Sequence, residues 1–75
     1  MDDKKKQAQL LRGLGIKLRK RRYEIDCTQE EISSVIDCNL SHYSEIERGK
    51  VNPSYIMIIR LAKALLLSPK DLMPE

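Results

Sequence analysis

Residues 28–50, Thr-Gln-Glu-Glu-Ile-Ser-Ser-Val-Ile-Asp-Cys-Asn-Leu-Ser-His-Tyr-Ser-Glu-Ile-Glu-Arg-Gly-Lys, constrain this chain more than any other stretch. Thr28 followed by Glu31 is a capping box: the hydroxyl accepts a backbone N–H of the first turn, and the carboxylate reaches back to the cap. Ile32, Val35 and Ile36 then fall on one helical face. Asp37-Cys38-Asn39 breaks that period, and Asn39 is a good N-cap for a second helix. Tyr43 and Ile46 supply the apolar side of this second helix, which Gly49 stops by taking a left-handed conformation. The spacing predicts helices over about 29–36 and 40–48 joined by a tight turn. That is a helix-turn-helix, whose second helix can lie in a DNA major groove.

Helical period continues on both sides. A first helix is expected from about Gln7 to Glu24, with Leu11, Leu14, Leu18 and Ile25 inward, and residues 1–6 read as a charged arm. Gly13 and Gly15 each weaken that helix by about 1 kcal/mol relative to Ala. Asn52-Pro53-Ser54 is a turn in which Ser54 can cap a fourth helix over about 55–66. Tyr55, Ile58, Ile59, Ala62, Leu65 and Leu67 can serve its core side. Ser68-Pro69-Lys70-Asp71 repeats the start signal, with a cap, Pro at the first helical position and an acid three residues on. There is no strand signal. The expected fold is all-α.

Size and composition exclude several classes. A chain of 75 residues forms one domain and buries only about 60% of its unfolded surface, so oligomerisation would help it. Its 41% hydrophobic and 33% charged residues fit a globular chain rather than a disordered one. Without Trp or Phe, the core must be aliphatic plus tyrosine. No apolar run approaches the ~20 residues that span a bilayer. The opening Met-Asp-Asp-Lys-Lys-Lys has no apolar stretch behind its charges, so no signal peptide or membrane partner is expected and the location is expected to be cytoplasmic. Cys27 and Cys38 flank a helix about 12 Å long, beyond the ~7 Å reach of a disulfide. Two separated cysteines and one His make no metal site, and no cofactor is expected. Catalysis would need convergent polar groups in a cleft; one His on an exposed helix, with no glycine-rich phosphate loop, argues against an enzyme.

Charge is uneven. Residues 1–26 carry nine Lys/Arg against four Asp/Glu, whereas residues 27–75 carry five against seven. The basic excess lies in Lys4–Lys6 and Lys17–Arg22, while Arg48 and Lys50 are the only cations between 28 and 50.

Leu14-Gly15, Leu18, Arg22, Thr28-Gln29-Glu30-Glu31, Ser44-Glu45-Ile46-Glu47-Arg48-Gly49-Lys50, Asn52-Pro53-Ser54 and Leu61-Ala62-Lys63-Ala64-Leu65 stand in one ungapped register. In that register the chain resembles the helix-turn-helix family of phage repressors, Cro proteins and XRE-type bacterial regulators, over roughly residues 13–73. The resemblance implies a compact five-helix repressor-type domain over 13–75 with a central helix-turn-helix, and leaves 1–12 as a charged N-terminal arm or helix extension. It sets Cys27 at a core leucine position, as a small buried hydrophobe. Asp26, Asp37 and Leu66 stand where glycine is common. Asp tolerates left-handed backbone; Leu66 does not fit that role, so the fourth helix is expected to end differently or to run on.

The same resemblance assigns candidate roles. Gln29 would meet a phosphate at the start of the first motif helix, where free N–H groups favour anions. Asn39, Leu40, Ser41, Ser44 and Glu45 would face the bases. Spacing agrees, since 40, 41, 44 and 45 line one side of the helix and 43 and 46 the other; the alternative is a solvated polar face. Leu40 can only contact a thymine methyl or sugar, the serines select little, and Glu45 could accept from a cytosine amino group. Direct readout should therefore be modest and shape readout larger. His42, if protonated, could add a phosphate contact or be an idle surface His. Arg48, Lys50 and Asn52 form a candidate phosphate clamp, and Lys4–Lys6 are either a groove-tracking arm or a soluble tail. Arg22 and Glu47 are implied as an ion pair between the first helix and the end of the recognition helix, or else an exposed pair of little consequence.

Ile56, Met57 and Leu66 occupy places where the family usually has polar residues or glycine. Apolar residues on a wet face suggest a partner surface, or a wider core face. The expected function is a sequence-specific regulator of double-stranded DNA, acting as a homodimer on two half-sites, similar to Cro-type repressors and restriction–modification controller proteins. The alternative is a protein-interaction module, antitoxin-like or adaptor, on the same fold. A domain this small leaves little room for a small-molecule effector pocket.

Overall fold

The computed structural model describes residues 3–74, and its elements are α1 (Asp3–Glu24), α2 (Gln29–Val35), α3 (Leu40–Glu47), α4 (Tyr55–Ala64) and a closing 3-10 turn (Pro69–Leu72). All are helical, and the fifth expected helix is the 3-10 turn. α1 starts four residues before the expected Gln7, so residues 3–6 continue the helix, and the boundary drawn at 12/13 falls inside it. The first two residues of the expected arm lie outside the described residues.

Each short helix starts on a side-chain cap. Glu31 N donates to Thr28 Oγ1 at 3.1 Å, and Thr28 N donates to Glu31 Oε1 at 2.9 Å, completing the capping box. His42 N donates to Asn39 Oδ1 at 2.7 Å, and Met57 N donates to Ser54 Oγ at 3.1 Å.

The four α-helices also end alike. Cys27 N donates to Arg22 O, Cys38 N to Ser33 O, Lys50 N to Glu45 O and Leu67 N to Ala62 O, at 2.8–3.0 Å. Each pairs with a shorter-range bond from the preceding residue, which is the Schellman arrangement. It needs a left-handed residue: Asp26 (φ 58), Asp37 (φ 56), Gly49 (φ 73) and Leu66 (φ 60) provide it. The expectation for Leu66 is thus overturned. It takes the glycine geometry, and α4 stops at Ala64 instead of reaching 66. Arg21 supports this end, donating from Nε to Leu65 O at 2.9 Å.

The core is Leu18 from α1, Ile32 and Ile36 around α2, Tyr43 and Ile46 from α3, Ile58, Leu61, Ala62 and Leu65 around α4, and Leu72. Cys27, Cys38, Leu14, Ile25 and Leu67 pack at its edge, and both cysteines are free. Two inward assignments are exposed, and two more, Leu11 and Ile59, are half-buried but outside the core. Val35 is 69% exposed and Ser33 is buried instead, because the seven-residue α2 presents 32, 33 and 36 to the core and Ser33 Oγ satisfies itself on Glu30 O at 3.0 Å. Tyr55 is exposed, and Leu61, which the expected core side omitted, is fully buried.

Candidate nucleic-acid interface

α3 is presented by its neighbours. Tyr43, Ile46 and Glu47 are buried, so the opposite face carries Leu40 and Ser41, both exposed, with Ser44 and Glu45 half-exposed. These four residues, with Gln29 and Arg48, line an open groove of about 420 Å³. A larger one, about 620 Å³, shares Gln29, Leu40, Ser44 and Arg48 and runs back to Arg19 and Tyr23 on α1. Asn39 sits at the head of this face with its side-chain oxygen committed to the α3 cap. His42, next to the face, is half-buried.

Beneath the face lies a buried polar network centred on Glu47. Arg22 and Glu47 are only 7% and 2% exposed. Arg22 donates from Nε to Glu47 Oε2 at 2.7 Å and from Nη2 to Oε1 at 3.0 Å, a bidentate pair. Tyr43 Oη also donates to Oε2, and Gln29 Nε2 to Oε1 at 3.0 Å. Arg19 reaches Glu47 O at 3.3 Å from outside. The charges reinforce each other. Burial alone would push the Glu47 carboxyl up, but hydrogen bonds from Arg22, Tyr43 and Gln29 outweigh it and hold it below its ordinary value. The bond to Glu47 raises Arg22 further, and burial raises Tyr43, so all three keep their neutral-pH protonation states.

Gly15 lets α1 approach closely enough for this network. A Cβ there would lie 2.1 Å from Glu47 O, so the backbone of α1 rests directly on the end of α3. Three helices are therefore locked at one carboxylate: α1 through Arg22, α2 through Gln29 and α3 through Tyr43 and Glu47 itself.

The candidate phosphate ligands do not all share one surface. Gln29 and Arg48 line both grooves. Gln29 has its amide nitrogen turned to Glu47, which sequence patterning did not reveal. Arg48 and Lys50 are exposed beside the Gly49 turn. Asn52 lies apart, at the edge of an apolar depression with Leu10, Leu11, Pro53 and Ile58. Arg19 and Tyr23 line the larger groove without having been expected there. Their signal is helical spacing, since residues 12, 16, 19 and 23 share one edge of α1.

At the far end, Ile56 is 56% and Leu66 75% exposed, whereas Met57 is half-buried against the core and offers less free surface than expected. Among the described residues no group of three His, Cys, Asp or Glu could hold a metal ion, and no helix is long and apolar enough to cross a membrane.

A family model described as helix-turn-helix matches residues 17–72. Among solved structures, the chain is similar to the restriction-modification controller protein C.AhdI from Aeromonas hydrophila, at 32% identity and TM-score 0.81, covering 88% of this chain and 98% of that one. It is also similar to the clp gene regulator ClgR from C. glutamicum, at 28% identity and TM-score 0.79, covering 84% and 82%. No curated protein sequence is significantly similar to the chain.

Proposed function

The chain belongs to the helix-turn-helix family and is a DNA-binding transcriptional regulator, not an enzyme; on that premise we propose that it binds a two-half-site operator as a homodimer. α3 enters the major groove of each half-site and acts by occupancy, blocking or recruiting polymerase. The observation that carries this reading is the α3 face. It is solvent-open along Leu40, Ser41, Ser44 and Glu45, while Arg22, Gln29 and Tyr43 fix its back through one buried carboxylate. A reading helix that does not rock delivers each side chain to a set position on a base edge.

Direct contacts on this face are chemically modest. Leu40 suits a thymine methyl, Ser41 and Ser44 discriminate little, and Glu45 can accept from a base amino group such as that of cytosine. Asn39 retains its amide hydrogens as donors. Much of the selectivity then rests on groove shape and on phosphate contacts from Arg48, Lys50, Gln29 and His42. Ile56 and Leu66 are the proposed dimer surface, with Met57 at its inner edge, as their exposed apolar area supports.

Selection of random-sequence duplexes by the purified protein, at low and at physiological salt, tests the reading. The expected result is a palindrome with half-site centres about 10 bp apart. Weak binding with no enriched motif would instead favour a protein-interaction module, a reading to which exposed Leu40 and acidic Glu45 on the same face would lend themselves.

A further inference from the structure

The family match begins at residue 17, so the first fourteen described residues of α1 lie outside it. They are not remote from the reading face. Gly49, which ends α3 with φ 73, faces α1 so closely that a Cβ there would lie 3.0 Å from Arg12 Cα and 3.1 Å from Arg12 Cγ. The turn that carries Arg48 and Lys50 is therefore seated on α1 at Arg12.

Arg12 on α1 thus lies against Gly49, which Arg48 and Lys50 flank in the chain. Arg12, Arg48 and Lys50 are all exposed. None of their side chains forms a hydrogen bond or ion pair with another described residue. The nearest buried acid, Glu47, is already neutralised by the bidentate Arg22. Glu45 shares a groove with Arg48 but pairs with none of the three cations, so the seat keeps a net positive charge whose complement is a polyanion.

We propose that Arg12 is a DNA-phosphate contact, continuing the Arg48–Lys50 clamp from the end of α3 onto the N-terminal half of α1. The inference rests on the DNA-binding reading above. It gives the long first helix a role in binding: α1 carries the duplex backbone past the limit of the helix-turn-helix itself. Because the contact is to phosphate, it adds affinity to every sequence equally and selects none.

The test measures binding of the full chain to a short duplex of arbitrary sequence over a series of salt concentrations. Each phosphate contact contributes about 0.9 to the slope of log affinity against log salt. Arg12→Gln should therefore flatten the slope by about one, and weaken binding roughly eightfold near 0.1 M salt, for each protomer bound. Arg12→Lys should restore most of both. Lys70→Gln removes the same charge from the closing 3-10 turn, which lines neither groove at α3, and should change little. Unchanged binding and slope for Arg12→Gln would overturn the proposal while leaving the DNA-binding reading intact. Equal losses for Lys70→Gln would overturn it too, in favour of a net-charge effect. If the unaltered chain shows no salt-sensitive duplex binding, the DNA-binding reading fails first and this inference with it. Thermal melting of each variant excludes unfolding as the cause, and Arg12 makes no side-chain hydrogen bond to another described residue whose loss would lower it.

Discussion

The seam between α1 and α3 and the outer end of α4 treat their side chains in opposite ways. At the seam, charged and polar groups are buried and every one is matched: Arg22, Tyr43 and Gln29 all donate to Glu47, and no buried side-chain polar atom lacks a partner among the described residues. At the α4 end, apolar groups are exposed and unmatched, with Leu66 held in a left-handed conformation that a leucine rarely adopts. Buried charge demands one geometry, because any loosening strands an ion away from water. Exposed apolar surface demands only cover. The first arrangement suits a reading helix that must not move; the second suits a surface completed by another molecule.

Removing the central carboxylate should break the seam most severely. Glu47→Ala leaves the Arg22 guanidinium buried without its partner, and the expected loss is about 3–5 kcal/mol in urea denaturation. A domain of this size holds on the order of 4–11 kcal/mol in total, so the variant would sit near its folding limit. A loss below about 1 kcal/mol would mean the pair behaves as a solvated surface pair. Acid should probe the same group more gently. Glu47 is held below its ordinary value in the fold, so its contribution is complete above the unfolded carboxylate value of about 4.3. It is lost as pH falls through the lower folded value. Glu47→Gln should remove that part of the acid-side slope, and an unchanged slope would assign it to other carboxylates.

The two α1 glycines sharpen the comparison within one helix. Both cost helix propensity, and alanine would recover about 1 kcal/mol at each. At Gly13, a Cβ meets nothing within 4 Å, so Gly13→Ala should stabilise by about that amount. At Gly15, the same atom would lie 2.1 Å from the Glu47 carbonyl oxygen. Gly15→Ala must push α1 off α3, at an overpacking cost of up to about 3 kcal/mol, so the expected net loss is about 2 kcal/mol after the propensity gain, with weakened duplex binding. Equal effects at the two positions would show that propensity, not contact, governs both.

Sequence patterning reads some of this and misses some, for a physical reason. The caps at Thr28, Asn39 and Ser54 join residues three apart, so each is written within one short segment. The Arg22–Glu47 geometry spans 25 positions and entered only through family register. Gln29 turning its amide to Glu47 depends on how α2 docks on α3, which no local pattern carries. Val35 shows the limit of periodicity: in a seven-residue helix, half a turn of rotation decides whether position 33 or 35 faces inward. Arg12 meeting Gly49 is likewise a fact of assembly, invisible from a charged N-terminal run.

Leu66 offers the finest division between the two regions, because one substitution should move folding and association in opposite directions. A left-handed leucine costs about 1–2 kcal/mol relative to the right-handed region, and glycine at the same C′ position avoids that strain. Leu66→Gly should therefore raise the stability of the monomer by about 1 kcal/mol, or roughly 4–8 °C for a domain of this size. It also deletes a side chain that is 75% exposed in the monomer. If Leu66 belongs to the dimer surface, sedimentation of the variant should show weaker association despite its more stable fold. Leu66→Asn provides the check, since asparagine tolerates the left-handed region and is polar. Both variants gaining stability while associating as the unaltered chain does would remove Leu66 from the interface and leave its strain without a functional reason. Strain retained at an exposed apolar position is otherwise a cost the monomer has no use for, and that asymmetry is why association is the better reading of the α4 end.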